Sequence, residues 1–264
     1  MNSYDAMLRR AEVVVRAATD RLRDMQGTTL NIARKEGRDV VTEADLAAER
    51  ILIDGLLAIT PGATILAEES GMSGPPERPR WIIDPLDGTV NYASGLPWYS
   101  STIAYQENGV TELGLVQAPA AGLVARYIRG RLATVNDRAA AVSGISSLSD
   151  AVVSVVLASN FAPEEVRSAI AIIDRLGRTT RGVRIVVSGA YEMSLVAAGR
   201  LAGFVAIKAD ICSHVAAMPL VRAAGGKVTR LDGEDSSDAD AYKIASNERI
   251  HAELLCCIRD CLSD

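Results

Sequence analysis

The stretch WIIDPLDGTVNY, residues 81–92, combines a short apolar run with two aspartates and a Gly-Thr pair. Its first three residues are aromatic or β-branched and predict a buried strand. Because proline lacks a backbone donor, we expect the chain to leave the sheet at Pro85, with Asp84 at the strand end. The turn that follows is expected to direct Asp87 and the Leu86 carbonyl back toward Asp84.

Hard oxygen ligands without histidine or thiol suit Mg²⁺ better than zinc. We expect Gly88 and Thr89 to open a helix or turn whose free backbone N–H groups bind phosphate. The stretch therefore predicts a metal ion and a phosphate group at one place. Standing alone, the segment 84–88 more often forms a plain surface turn, so the prediction depends on the rest of the chain.

Acidic residues also follow predicted structure upstream. The apolar run ATIL, residues 63–66, reads as a strand, and Glu68 and Glu69 come after it. In residues 39–57 apolar positions have helical spacing, and the helix is expected to start at Thr42, with Asp45 in its first turn. Taken singly, Asp45 is typical of a helix-start charge and the glutamates of a solvated loop.

Together these motifs resemble the inositol monophosphatase family of Mg²⁺-dependent, often lithium-sensitive phosphomonoesterases. The resemblance covers nearly the whole chain and is carried by VTEAD (41–45), AEES (67–70), residues 81–92 with Gly95 and Pro97, LVAAG (195–199) and AAMPLVRAAGG (216–226). It implies an α/β fold arranged as an αβαβα sandwich, Mg²⁺ as cofactor, a small-molecule phosphate ester as ligand and a homodimer.

The resemblance also implies roles for single residues. The implied metal ligands are Glu68, Asp84, the Leu86 carbonyl and Asp87. Asp45 and Thr89 are identified as the pair that orients and helps to deprotonate the attacking water, and Gly88 and Thr89 as backbone donors to the phosphate. This is chemically reasonable, because cations must neutralise an anionic ester before hydroxide can attack it, and phosphoryl transfer needs positioning more than a covalent nucleophile.

One segment departs from the family pattern. Where the family has a Trp-Asp pair whose aspartate completes the second metal site, an ungapped count places Cys212 and Ser213. A hydroxyl is a weak ligand for a hard cation. Asp210 can replace it if the loop is three residues shorter, and we favour Asp210 as the ligand. His214 is expected either to contact the substrate or a metal, or to be a helix-start histidine bonded to backbone.

Substrate recognition is less determined. Arg184, with Arg181 before it, matches an arginine loop of the family, and Ser188 and Gly189 match its small-residue turn. Surface solvation is the alternative for the arginines. Ala206 stands where a carboxylate is expected to contact inositol. Sugar, cyclitol, nucleotide and amino-alcohol phosphates therefore all stay open as substrates.

Composition agrees with a globular enzyme: 264 residues, 48% of them hydrophobic. A net charge of −5 disfavours nucleic acid and anionic membranes as partners. The N-terminal segment is a charged amphipathic helix without the apolar block of a signal peptide, so the expected location is the cytoplasm, with the four cysteines reduced. His251 is expected to be structural and partly exposed.

Two lobes in one compact unit are predicted. Residues 1–149 form an α+β lobe with most metal ligands, and residues 150–264 form an α/β lobe with substrate-binding elements. The expected elements include a helix at about 4–25, a hairpin turning at Asn108-Gly109, a strand at 184–188 and a helix at 215–224. The acidic segment 233–241 is expected to be a solvated turn.

Overall fold

A computed structural model of the chain describes residues 3–28, 32–34 and 40–263. Asp39, the first residue of the predicted helical segment, lies outside these ranges. The helices are α1 (Ser3–Met25), α2 (Glu43–Ile59), α3 (Thr89–Ala93), α4 (Pro163–Thr179), α5 (Gly189–Ala197), α6 (Ile211–His214), α7 (Ala217–Ala223) and α8 (Glu248–Ser263), with a 3₁₀ turn at Leu148–Asp150.

The strands form three sheets. Their bounds are β1 (Ile32–Arg34), β2 (Val40–Thr42), β3 (Thr64–Ala67), β4 (Gly71–Ser73), β5 (Arg80–Asp87), β6 (Ser100–Glu107), β7 (Val110–Ala118), β8 (Leu123–Ile128), β9 (Thr134–Val135), β10 (Arg138–Ala139), β11 (Val152–Val155), β12 (Gly182–Arg184), β13 (Gly203–Ala206), β14 (Gly226–Thr229) and β15 (Lys243–Asn247). The orders are β1-β2, β10-β9-β8-β7-β6-β5-β3-β4 and β12-β11-β13-β15-β14.

Five layers follow from the contacts between these elements. Helices α1 and α2 pack on one face of the eight-stranded sheet, and α5, α6 and α7 contact its other face. Helices α5 and α7 also contact the five-stranded sheet, whose far side carries α4 and α8. The predicted αβαβα sandwich is thereby confirmed, with three short helices between two sheets.

Two hydrophobic cores occupy the spaces between the layers. The first lies under α1 and α2, where residues at helical spacing such as Leu8, Val15 and Leu22 are buried against the sheet. The second contains residues of both sheets, including Ile82 and Phe204, around the central helices. Both faces of the eight-stranded sheet are therefore covered.

Strand β5 corrects one prediction, because it does not end at Pro85. The strand pairs with β6 through Asp84 opposite Thr102 and resumes at Asp87 opposite Ser100. Between these two pairs β5 therefore has one residue more than β6. Such a bulge tolerates a proline that cannot donate to the ladder. In a regular strand, residues three apart face opposite sides, and the extra residue brings both aspartates to the same cavity.

Two elements in the C-terminal half of the chain also differ from prediction. The predicted strand 184–188 lies earlier, at β12, and ends at Arg184. The predicted helix 215–224 corresponds to α7, which begins two residues later, at Ala217, and α6 precedes it across a turn at residues 215–216. Pro219 explains the turn between α6 and α7, since it cannot donate to the carbonyl of Val215, four residues earlier, and its ring would clash with that carbonyl.

The acidic segment 233–241 is predicted to be a solvated turn, but in the structure hydrogen bonds tether it to the protein. Lys243, buried at the start of β15, donates from Nζ to the carbonyls of Ser237 and Asp240, the latter at 2.6 Å. Gln106 donates to Asp238 at 2.6 Å. Strand β15 was not predicted, because a buried polar residue opens it and its one β-branched residue, Ile244, gives little strand signal.

His251 is structural, as expected, but it is buried and not partly exposed. Thr229 Oγ1 lies 2.9 Å from its Nε2, and Ser246 Oγ lies 2.7 Å from its Nδ1. Burial lowers the pKa of the imidazole to about 4. The side chain is therefore neutral at physiological pH and joins β14 and β15 to α8.

Candidate active site

A cavity of about 490 Å³ lies where β5, α3, α5 and α6 meet the segment that follows β11. Four carboxylates line it: Glu68, Asp84, Asp87 and Asp210. Gly88, Thr89, Gly189, Ser213 and His214 also line it. The cavity therefore collects residues that lie far apart in the sequence and that were predicted to form one site.

Asp45 and Thr89 are brought together. Asp45 is buried at the third position of α2, where its Oδ2 accepts hydrogen bonds from the backbone N–H of Thr42 at 2.8 Å and the Thr42 hydroxyl at 2.6 Å. Its Oδ1 lies 3.0 Å from Thr89 Oγ1, a hydroxyl that is also 3.0 Å from the Leu86 carbonyl. One proton can serve only one of these two acceptors, so the Thr89 hydroxyl can switch between them.

Gly88 begins α3 in a conformation that favours glycine. Its φ is 93°, and a Cβ atom at this position would lie 2.7 Å from the carbonyl oxygen of Trp98. Both the backbone angle and the lack of space exclude a side chain. The sharp turn after the β5 bulge therefore needs glycine at this position.

Asp84 is fully buried beside other acids. The Leu86 N–H donates to its Oδ1 at 3.0 Å, and the Ser213 hydroxyl donates to its Oδ2 at 2.8 Å. Burial, followed by repulsion from Glu68, Asp87 and Asp210 and a hydrogen bond with Glu68, raises its pKa well above the ordinary value. In the described part of the chain no lysine or arginine forms an ion pair with it.

Asp87 is enclosed by donors at the start of α5. Its carboxylate accepts hydrogen bonds from the hydroxyls of Ser100 at 3.0 Å and Ser188 at 2.8 Å, and from the N–H groups of Gly189 and Ala190, both at 3.0 Å. Burial raises the pKa of this carboxyl to about 6, while the two serine hydroxyls oppose the shift. The predicted Ser188-Gly189 turn thus contacts a predicted metal ligand directly.

A buried acid that the sequence did not reveal supports this turn. Glu192 accepts hydrogen bonds from the Ser188 N–H at 3.0 Å and from the Ser154 hydroxyl. Burial raises its pKa to about 7. The turn is strained at Val187, whose φ is 60°, a region that β-branched residues rarely adopt. From the cavity side, Asn91 Nδ2 donates to the Val186 carbonyl at 2.7 Å.

The residues that depart from the family pattern lie at α6 and at its N-cap. Asp210 is the N-cap of α6 and accepts from the Ser213 N–H at 2.8 Å, while its side chain stays 57% exposed and lines the cavity. Ser213, by contrast, contacts Asp84. His214 Nδ1 donates to the Asp210 carbonyl at 3.0 Å, which matches the helix-start alternative. Its Nε2 is buried against Gly189 without a partner in the described residues.

Three basic side chains, those of Arg184, Arg181 and Lys208, bear on substrate binding. Arg184 is exposed, donates to the Val183 carbonyl and does not line the cavity, so its predicted contact with substrate has no support in this geometry. Arg181 pairs with Asp150 at 2.5 Å. Lys208, which was not predicted from the sequence, does line the cavity. It follows a buried strand, but nothing in its local sequence distinguishes it from a surface lysine.

The donor chemistry fits a hard divalent cation. The cavity presents carboxylate and carbonyl oxygens, which Mg²⁺ prefers. The raised pKa values of Asp84 and Asp87 mean that burial disfavours their ionised forms, which a bound cation would stabilise. Within the described ranges, no three acidic, histidine or cysteine side chains are arranged to hold a metal ion as they stand. Asp87 explains part of this, because its carboxylate is bonded to the start of α5.

Comparisons with known proteins agree with this geometry. A family model described as "Inositol monophosphatase family" matches residues 3–263. The chain is 35% identical over 230 residues to "Fructose-1,6-bisphosphatase/inositol-1-monophosphatase" of Thermotoga maritima, covering 87% of this chain and 86% of that relative. It is 34% identical over 260 residues to "Nus factor SuhB" of Pasteurella multocida, covering 97% and 94%.

Solved structures show the same likeness. An IMPase of Thermotoga maritima superposes with a TM-score of 0.88 at 33% identity and covers 95% of each chain. The extragenic suppressor protein suhB of Bartonella henselae gives a TM-score of 0.90 at 29% identity, covering 96% of this chain and 98% of that one.

Proposed function

The chain belongs to the inositol monophosphatase family, and from that premise we propose that it hydrolyses a phosphate monoester of a small metabolite in a Mg²⁺-dependent reaction. Membership in the family makes it a phosphatase, a hydrolase of phosphoric monoesters. The identity of the cation, the substrate and the roles of single residues are the proposed part.

One observation carries the proposal. Asp84 is fully buried, its pKa is raised by burial and by three neighbouring acids, and its cavity is also lined by the Gly88-Thr89 turn. Ionising a carboxyl group in such a place is costly unless a cation binds there. We propose as ligands Glu68, Asp84, the Leu86 carbonyl, Asp87 and Asp210. Bound Mg²⁺ supplies charge neutralisation for the phosphoryl oxygens and a lowered pKa for a coordinated water.

The water-activating role is assigned to Thr89 and Asp45. When the Thr89 hydroxyl donates to Asp45 Oδ1, the threonine oxygen has lone pairs left to accept a proton from water, and the Leu86 carbonyl is released. Asp45 keeps its orientation because Thr42 holds the other carboxylate oxygen. Backbone N–H groups at Gly88 and Thr89 are proposed to bind the phosphate.

The substrate class is proposed more broadly than one compound. The name of the Thermotoga relative covers a sugar bisphosphate and an inositol monophosphate. We propose sugar, cyclitol, nucleotide and amino-alcohol phosphates as candidates for this chain, with a contact from Gly189, which lines the cavity. A contact from Ser188 is a prediction of the sequence alone, since this residue is fully buried and donates to Asp87. Contacts from Arg184 and His214 remain predictions of the sequence alone, since the first is outside the cavity and the second has a covered Nε2.

A second candidate is a weakened relative that binds a phosphorylated ligand without efficient turnover. It is favoured by Ser213, whose hydroxyl donates to Asp84 Oδ2 at 2.8 Å where the family pattern has an aspartate. A neutral donor at this place removes one negative charge from the second metal site. Several relatives are named "Nus factor SuhB" and not as enzymes.

Phosphate release from a panel of sugar, cyclitol, nucleotide and amino-alcohol phosphates, with Mg²⁺ and with EDTA, tests the proposal. Efficient Mg²⁺-dependent release of phosphate supports it. Release from none of the esters, together with a gain of activity in Ser213→Asp, indicates the weakened relative. An Asp210→Asn variant with full activity and unchanged Mg²⁺ dependence rules out Asp210 as a ligand.

We also propose that the protein is a cytoplasmic homodimer that binds neither nucleic acid nor membranes. No helix in residues 3–28, 32–34 and 40–263 has the length and apolar character needed to cross a membrane. The acidic net charge supports the proposal about nucleic acid. Light scattering behind a sizing column tests the dimer, because a monomer's mass at micromolar concentration would contradict it.

A further inference from the structure

We propose that the cavity selects substrates with a second anionic group, a phosphate or a carboxylate remote from the scissile ester, and that Lys208 binds this group. The inference rests on the proposed phosphatase function and deepens it by specifying the substrate class. It starts from the distribution of charge around the cavity.

Lys208 differs in charge from its surroundings. Among the described residues that line the cavity, it is the one lysine or arginine, and the other charged members are carboxylates. Its partner Asn160 belongs to the segment after β11, whereas Asp84 and Asp87 belong to β5. Apolar residues Val156 and Leu157 line the same cavity. Lys208 is thus the one ammonium group, among the described lining residues, in a cavity whose acids come from β5, from Glu68 after β3 and from Asp210, two residues beyond Lys208 itself.

The ammonium group has donor capacity left. Lys208 Nζ donates to the Asn160 carbonyl at 3.0 Å and to Glu165 Oε2 at 3.3 Å, and an ammonium group carries three protons. The side chains of Lys208 and Glu165 are 35% and 30% exposed. An ion pair with this exposure is weak, so a substrate anion can bind the third proton or displace Glu165.

Glu165 does not depend on Lys208 for its position. Its Oε2 also accepts a hydrogen bond from the Ala162 N–H at 2.7 Å, which caps the start of α4, and this bond is the main cause that lowers the pKa of Glu165. Removing the ammonium group therefore leaves α4 capped. Removing the charge of Glu165 leaves Lys208 without a competing anion. The two side chains can be changed separately.

The rival explanation is that Lys208 only fastens α4 to the segment after β13. That role predicts equal effects of substitution on all substrates. A binding role predicts an effect confined to substrates with the second anion, and opposite effects from Lys208 and Glu165. Substrate pairs that differ in one group distinguish the two explanations.

The test measures KM and kcat with Mg²⁺ for two such pairs: glucose 1-phosphate against glucose 1,6-bisphosphate, and glycerol 3-phosphate against 3-phosphoglycerate. In Lys208→Met we expect KM to rise about 10-fold for the doubly anionic member of a pair, with kcat and the other member unchanged. In Glu165→Gln we expect KM for the same member to fall. The first pair reports a phosphate preference, and the second a carboxylate preference.

Lys227→Met is the matched control, because Lys227 is exposed, pairs with Glu248 at 3.9 Å and does not line the cavity. An equal change of KM for both members of each pair in Lys208→Met overturns the inference and leaves the phosphatase standing. If no ester is hydrolysed, the proposed function fails, and calorimetric binding of glucose 1,6-bisphosphate then decides. An affinity about 10-fold lower in Lys208→Met supports the subsite, and equal affinities overturn it.

Discussion

Asp45 combines a structural and a proposed catalytic role in one side chain. One carboxylate oxygen accepts two hydrogen bonds from Thr42, the N-cap residue of α2, and the other faces the Thr89 hydroxyl. The helix start therefore fixes the orientation of the proposed base. The hydroxyl at residue 89 is the group through which this base would act on water.

Substitutions of Thr89 test that role. Thr89→Val removes the hydroxyl while it keeps the size of the side chain, and we expect kcat to fall by about 100-fold or more, as is usual when proton transfer is lost. Thr89→Ser keeps the hydroxyl and should retain most of the activity. Steady-state phosphate release measures both variants. Equal activity of the valine and serine variants would exclude proton transfer through this hydroxyl.

Glu192 contributes to stability in a pH-dependent way. Its pKa is raised by burial from 4.5 to about 7, so between these values the folded state binds more protons than the unfolded state. The contribution is fully present below about pH 4.5 and is lost as the pH rises through about 7. A shift of this size corresponds to on the order of 3 kcal/mol.

Glu192→Gln should remove this part of the pH dependence. Without metal, the unfolding free energy of the wild type should fall as the pH rises from about 5 to about 8. In the variant we expect this fall to be smaller, by on the order of 3 kcal/mol. Urea unfolding in EDTA measures it. An identical pH dependence in the two proteins would mean that Glu192 is not protonated in the folded state.

At the scale of elements, the turn between β12 and α5 determines the position of the donors around Asp87. Glu192 bonds to this turn from the α5 side and Asn91 from the α3 side. Between them Val187 has a φ of 60°. Strain of this kind persists only where the surrounding structure enforces it, and it is common at functional sites.

The strain at Val187 can be measured against its neighbour. Glycine adopts φ near 60° without cost, so Val187→Gly relieves the backbone strain of the folded state. This gain offsets the greater conformational entropy that glycine gives the unfolded chain. Val186→Gly, at a half-buried position without positive φ, gains nothing in return. We expect Val187→Gly to be more stable than Val186→Gly by about 1–2 kcal/mol in urea unfolding. Equal stabilities would mean that the turn is unstrained.

Prolines and glycines explain which elements could be predicted. The hairpin at Asn108-Gly109, with φ values of 51° and 75°, was predictable because only its own two residues decide the turn. The continuation of β5 past Pro85 was not, because the bulge depends on pairing with β6. The turn at residues 215–216, four residues before Pro219, was predictable in principle from the proline alone.

At the scale of the whole molecule, the site depends on elements from both sheets and the helices between them. The motif residues around Asp84 were recognisable because metal and phosphate chemistry restricts their types. Glu192, Ser100 and Lys208 were not, because each acts through contacts that form only when distant segments meet. Local sequence carries no signal for such contacts. This is why the proposed metal ligands were predicted and these three residues were not.

The central claim is that buried carboxylates bind a cation that makes this cavity a phosphatase. Phosphate release as a function of Mg²⁺ concentration, for the wild type and for Asp84→Asn, tests it most directly. Activity of the wild type should rise to saturation with Mg²⁺ and vanish in EDTA, and Asp84→Asn should lose about 100-fold or more at every Mg²⁺ concentration. Wild-type activity that persists in EDTA, or full activity in Asp84→Asn, would contradict the claim.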